Sequence, residues 1–330
     1  MRKNIKIILA VLLILSAIII GYFFVGFPKV SEDIAWGVNF SQKRAEEFGF
    51  DWKEVYLAAL DDLGAKNIKL AVHWDLVEKA DGEYYFDDVD YQLRQAQDRG
   101  AKVILVIGRK TPGWPECHVP RWAEELGKEE QQIKILALLE NIVLRYRDWP
   151  AVEYWQVENE PFFPFGECLW KDNDFLKKEV DLVKSIDSSR SVIISESGEF
   201  PLWFKAASNG DILGITMYRR AFFGELGLYV NYPFPPVFYD RKASLIRSLL
   251  KKDVFCVELQ AEPWGPALNF KLSMEEQEKS MTLEKLKKNI DFAQRTGLER
   301  FYFWGTEWWY WMKEENKRPE FWDETKKLFQ

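Results

Sequence analysis

The sequence predicts an α/β fold, a (β/α)8 TIM barrel preceded by an N-terminal transmembrane helix, and three observations carry that reading. Eight short apolar runs alternate with helical patterns, as in the βα units that build a parallel sheet. About 300 residues follow a single apolar segment, close to the size of one barrel. No internal repeat, low-complexity tract or linker divides them.

The N-terminal segment comes first. Arg2, Lys3 and Lys6 precede IILAVLLILSAIIIGYFFVGF, Ile7 to Phe27, which is 21 residues without a charge. That length exceeds the roughly 20 residues needed to cross a hydrocarbon core and the about 7 to 15 of a cleaved signal's apolar region. No small-x-small cleavage pattern follows, and no polar stripe marks a core helix of a soluble protein. Residues 1–28 therefore read as a cytoplasmic stub and signal-anchor helix, and residues 29–330 as the barrel. Basic residues before the span hold the N-terminus in the cytoplasm, which leaves the barrel outside.

Strands are predicted at 35–40, 68–73, 102–108, 152–158, 191–196, 211–217, 253–259 and 299–305. Between them, Val89, Leu93 and Ala96 recur at helical spacing and stop at Gly100, a C-terminal cap. A later helix opens on Ser273 and Glu276 in capping-box relation, carries Leu283, Leu286, Ile290 and Ala293 on one face, and stops at Gly297. The 22-residue stretch Arg219 to Asp240, RRAFFGELGLYVNYPFPPVFYD, is too long and too aromatic for a plain connector and reads as a loop walling a cleft.

Composition excludes several classes. Net charge is −7, with 45 basic against 52 acidic residues and no basic cluster interleaved with aromatics, so nucleic acid is not an expected partner. His73 and His118 are too few and too scattered for zinc, and no metal or phosphate motif is present, so no cofactor is expected. Aromatics make up 16% of the chain, including 15 Trp. Most of these supply core area, whereas Trp114, Trp170, Trp264, Trp308 and Trp309 fall in stretches read as strand-following loops, where ring faces are available for stacking. Cys117 and Cys168 also lie in such loops, and outside the cytoplasm they form a possible disulfide. Cys256 alternates with Glu258 in a strand and reads as a buried thiol.

A barrel of this kind works at the carboxyl ends of its strands. Strand one ends at Asn39, strand two at His73-Trp74, strand four at Asn159-Glu160, strand six at Tyr218, strand seven at Glu258 and strand eight at Trp304, with Glu196 and Glu199 closing strand five. A buried carboxylate is costly enough to need a partner or a purpose. Glu160 stands at the tip of VEYWQVENEP, and Glu258 follows about a hundred residues later in VFCVELQAEPW, a separation suited to two strands of one barrel. Glu258 is preferred to Glu262 because the β run ends there, while Glu262 precedes Pro263 in a loop. Two carboxylic acids so placed suit cleavage of a glycosidic bond.

The pattern resembles the clan A glycoside hydrolases. Asn-Glu-Pro closing strand four, a glutamate closing strand seven and a Trp on strand eight resemble that clan, HWDLVEKADGEYYFDDVD resembles the segment after strand two in cellulase-like and β-galactosidase-like members, and ELQAEP resembles the nucleophile segment of the β-galactosidase branch. The resemblance implies Glu160 as acid/base, Glu258 as nucleophile, Asn159 as donor to the 2-hydroxyl, Tyr218 as partner of the nucleophile and Trp304 as the floor of the cleavage subsite. The clan's arginine on strand two is replaced by Lys69, which brings the charge without the planar fork.

The expectation is a membrane-anchored retaining glycosidase acting on β-linked oligo- or polysaccharide, with Asn39, His73, Trp114 and Trp264 as further substrate contacts. A transglycosylase of envelope glycans would use the same residues, and an inactive carbohydrate-binding barrel is the non-enzymatic rival.

Overall fold

The computed structural model describes residues 2–28 and 30–330; Met1 and Lys29 lie outside the described residues, as do the side chains of residues 2–4. The domain boundary expected at residues 28 and 29 and the basic side chains of Arg2 and Lys3 thus fall at or beyond that limit.

Eight strands form a closed parallel barrel in chain order: β1 (Ala35–Phe40), β2 (Asn67–Ala71), β3 (Lys102–Ile107), β4 (Val152–Val157), β5 (Val192–Ser197), β6 (Ile212–Met217), β7 (Val254–Gln260) and β8 (Arg300–Trp304). β8 returns to β1, with Trp36 opposite Phe301 and Val38 opposite Phe303. The strand period of two sorts the side chains. Along β3, Val103, Leu105 and Ile107 join the large core between sheet and helices, while Ile104 and Val106 meet Ile193, Ile212, Val257 and Tyr302 in a separate inner cluster. Each such aliphatic side chain contributes about 1.5–3 kcal/mol when fully withdrawn from water, which is why apolar runs on both faces specify this sheet.

The helices follow the expected alternation with some differences. Helix Asp87–Asp98 is followed by Gly100 at φ +67°. The single helix expected from Ser273 onward is two: Met274–Ser280, capped by the Ser273 hydroxyl, and Leu283–Gln294, capped by Thr282, whose Oγ1 accepts from the Lys285 amide. A second side-chain cap inside the apolar pattern restarts the helix. The stretch 219–240 is not all loop, because Arg220–Phe223 and Leu228–Asn231 pair as a hairpin and a helix begins at Pro236. Trp308 and Trp309, expected in a loop, are buried in helix Thr306–Glu314, where their indoles donate to Gln277 Oε1 at 2.7 Å and Ala261 O at 2.8 Å.

Helix α1 (Arg2–Phe24) precedes the barrel. Its segment Ile5–Phe24 has a mean hydropathy of 3.0 and is long and apolar enough to cross a membrane, a test that a signal sequence also passes. Its last turn packs on the helix Pro236–Leu250: the Phe24 ring lies 5.6 Å from Phe238 and the Arg241 guanidinium lies 5.0 Å from the Tyr22 ring.

Candidate active site

β7 carries a register irregularity between Cys256 and Glu258 where it pairs with β6, and Glu258 comes to lie opposite Thr216. A bulge re-aims a side chain at the rim of a barrel. Glu258 is buried, and both of its oxygens are held: Lys69 Nζ donates to Oε1 at 2.8 Å and the Tyr218 hydroxyl donates to Oε2 at 3.0 Å. Lys69 is 1% exposed on β2, so this ion pair is desolvated and depends on its hydrogen bonds. Burial and the neighbouring Glu258 charge push the Tyr218 phenol well up, which keeps it a donor.

Just past β4, Glu158 and Glu160 adopt left-handed φ of +59° and +44°, a conformation that costs about 1–3 kcal/mol for each non-glycine residue. Hydrogen bonds offset that strain. The Glu158 carboxylate accepts from the amides of Arg109 at 2.8 Å and Lys110 at 2.7 Å, and the Glu160 amide donates to Ser195 Oγ at 2.8 Å. The turn delivers the Glu160 carboxyl to Thr216 on β6, whose hydroxyl donates to Oε1 at 2.8 Å. Burial, then the negative charge of Glu258, pushes the Glu160 carboxyl up to about 8. Two glutamates from different strands therefore sit in opposite settings, one neutralised by a cation and one pressed to keep its proton.

A third carboxyl was not recognised from sequence. Glu116, buried at φ +73° in the loop after β3, accepts from Asn159 Nδ2 at 3.2 Å and from the Gly113 amide at 3.1 Å, and burial raises it to about 7 against the opposing Lys110 charge. Lys110 Nζ donates to the carbonyls of Glu160 at 2.9 Å and Phe163 at 3.2 Å and so clamps the Asn-Glu-Pro turn. No helical or strand period marks either residue; their spacing of six in a Pro-rich loop was the only sequence signal.

The remaining expected residues separate into two groups. Trp304 closes the site from β8, its indole donating to Glu262 Oε1 at 3.0 Å, while Arg44 Nη2 donates to both Glu262 oxygens at 2.8 and 2.9 Å. Glu262 is thus a buried support for Trp304. Trp264 packs edge-on against Tyr218 with ring centroids 4.8 Å apart, and Trp114, 44% exposed, joins it through Phe165. Asn39 and His73, expected at the substrate, spend their polar atoms on the protein. The Asn39 amide donates to the carbonyls of Val257, Tyr302 and Phe303, and His73 bonds Thr111 Oγ1 at 2.7 Å with its ring 4.0 Å from that of His118. Burial, then the neighbouring His118 and Lys43, draws His73 well below the usual histidine range, and burial with the Lys43 charge draws His118 down to about 3. Glu199 accepts from the Tyr218 amide at 2.9 Å and the Tyr239 hydroxyl at 3.2 Å, and props the end of β6. Trp170 lies under Arg109, whose guanidinium is 3.7 Å from its ring centroid. Cys117 and Cys168 are joined in a disulfide across 51 residues, tying the loop after β3 to the loop after β4, and Cys256 is a buried free thiol.

No family model matches the sequence, and no curated protein matches it either. Solved structures do. An endo-β-1,4-mannanase from Thermotoga petrophila superimposes with a TM-score of 0.61 at 15% identity over 91% of this chain and 77% of its own. Xylanase 10B from the same organism, with xylobiose bound, gives 0.54 at 15% identity over 85% and 87%. The chain shares the (β/α)8 barrel fold of these glycoside hydrolases. A β-galactosidase from Halorubrum lacusprofundi gives 0.56 at 14% identity over 82% of this chain and 52% of its own, so the chain spans about half the length of that protein. What these barrels have in common with the chain is the scaffold.

Proposed function

We propose that this protein is a membrane-anchored retaining glycoside hydrolase that cleaves β-glycosidic bonds with Glu160 as acid/base and Glu258 as nucleophile. The observation that carries the reading is the electrostatic asymmetry of the pair: Glu258 bonded to Lys69 and Tyr218, Glu160 raised to about 8 beside it. A glycosidic oxygen is a poor leaving group, so it must be protonated as the bond breaks, and a carboxyl raised by burial supplies that proton at neutral pH. Glu258, oriented by its hydrogen bonds from Lys69 and Tyr218, attacks the anomeric carbon through an oxocarbenium-like transition state and forms a glycosyl-enzyme. Formation of the ester consumes the carboxylate charge, and Glu160, having given its proton to the leaving oxygen, takes one from the water that releases the sugar. The lysine at the position of the clan's arginine supports an active barrel, because its Nζ reaches Glu258 at 2.8 Å. The substrate is an oligo- or polysaccharide, with Trp304, Trp264 and Trp114 offering ring faces. Transfer to a sugar acceptor would use the same residues.

Wild type, Glu160→Gln and Glu258→Gln are compared on a panel of aryl glycosides with analysis of the products. Loss of the acid/base is expected to lower turnover roughly 10²–10⁴-fold, least where the aryl leaving group needs no proton, and loss of the nucleophile is expected to abolish it. Wild-type activity equal to that of both variants would sink the catalytic reading.

A further inference from the structure

Four exposed apolar side chains rim one side of the candidate site. Phe200 and Leu202 follow β5, and Leu226 and Leu228 stand on the hairpin after β6; they are 57%, 77%, 63% and 48% exposed. Soluble surfaces seldom leave such side chains together unless something covers them. A chain of rings joins this rim to the end of α1: Phe24 lies 6.2 Å from Phe234, Phe234 lies 6.1 Å from Phe200, Phe200 lies 5.4 Å from Tyr232 and Tyr232 lies 6.1 Å from Phe223, which pairs with Leu228 across the hairpin.

Topology fixes which end of the barrel α1 meets. The helix Pro236–Leu250 follows β6, so its first residues lie at the carboxyl-end face and its last residues at the opposite face, ahead of β7. Phe24 touches Phe234 and Phe238, at the carboxyl-end side. The apolar helix therefore leaves the barrel next to the mouth of the site.

We propose that the carboxyl-end face of the barrel sits on the bilayer that α1 enters, with Phe200, Leu202, Leu226 and Leu228 inserted at the headgroup and acyl boundary. This rests on the reading of α1 as a membrane span. Apolar side chains next to a span are withdrawn from water by that boundary, whereas in a barrel held clear of the membrane they stay exposed. The site then opens along the lipid surface, within reach of saccharides carried there.

The full-length chain is reconstituted in phosphatidylcholine–phosphatidylglycerol vesicles as Leu202→Cys, Leu226→Cys or Leu249→Cys, each labelled with an environment-sensitive dye. The native cysteines do not compete, being disulfide-bonded or buried. Leu249, 64% exposed at the far end of the helix Pro236–Leu250, is the control. Expected are strong quenching by doxyl-labelled lipid at positions 202 and 226 and none at 249. Vesicle-bound protein with all three dyes unquenched, or with 249 quenched as strongly as the others, would overturn the proposed orientation while leaving the span intact. Protein that fails to float with the vesicles would overturn the span and the orientation together.

Discussion

An ammonium is a compact point charge, and at Lys69 it supplies one hydrogen bond, 2.8 Å long, to one oxygen of Glu258, leaving the other oxygen to the Tyr218 hydroxyl. Replacing Lys69 with Met is therefore expected to lower kcat/KM by about 10²–10³, the effect of losing a preorganised electrostatic partner, and steady-state kinetics on an aryl glycoside measures it. Glu160 makes a second expectation at this scale. On the proposed mechanism its raised carboxyl delivers a proton only while protonated, so kcat/KM is expected to fall as pH rises through about 8, and Glu160→Gln to flatten that alkaline limb. Glu160, Glu258 and Tyr218 were legible because each ends an apolar run, where a polar side chain is out of character. Glu116 and Arg44 were not: Glu116 sits in an aperiodic loop, and the meaning of Arg44 comes from Glu262, 218 residues away.

Among the elements, two ties hold the mouth of the site. Arg44, on the short helix Gln42–Glu47, pins Glu262 behind Trp304. Arg44→Met leaves a buried carboxyl without its cation and is expected to destabilise the fold by about 3–5 kcal/mol, read by thermal denaturation. Glu262 is already raised by burial, so folding holds its proton more tightly than the unfolded chain does. The variant's loss of stability accordingly deepens as pH rises and eases in acid. The disulfide between Cys117 and Cys168 is the second tie, and its removal by paired Cys→Ala replacement is expected to cost about 2–4 kcal/mol and to lower the melting temperature of the oxidised protein to that of the reduced one. All eight strands lie within two residues of their predicted bounds, because apolar runs of strand length between helical patterns admit little else. The hairpin after β6 and the restart at Thr282 escaped, since both depend on local side-chain hydrogen bonds and cross-strand partners that period alone does not encode.

For the whole molecule, the proposed topology makes α1 the element that sets where the barrel operates. On the proposed topology, the chain is expected to stay in the membrane pellet after alkaline carbonate washing, and protease added outside intact cells is expected to degrade the barrel; release into the supernatant would show a cleaved signal. The helix was plain in the sequence as an uncharged run, but its packing on Phe234 and Phe238 was not, since those residues stand more than 200 positions away and only the closed fold brings them near.

The order of strands around the barrel bears on synthesis. Every other pairing joins neighbours along the chain, whereas β1 with β8 joins its two ends, Trp36 to Phe301. On the proposed topology β1 emerges from the membrane early and keeps one edge open until the final strand has been translated and exported. Open edges are templates for mispairing, and the growing chain carries this one for most of its synthesis. A nonsense mutation before Arg300 would yield an aggregation-prone, protease-sensitive sheet rather than a smaller working enzyme.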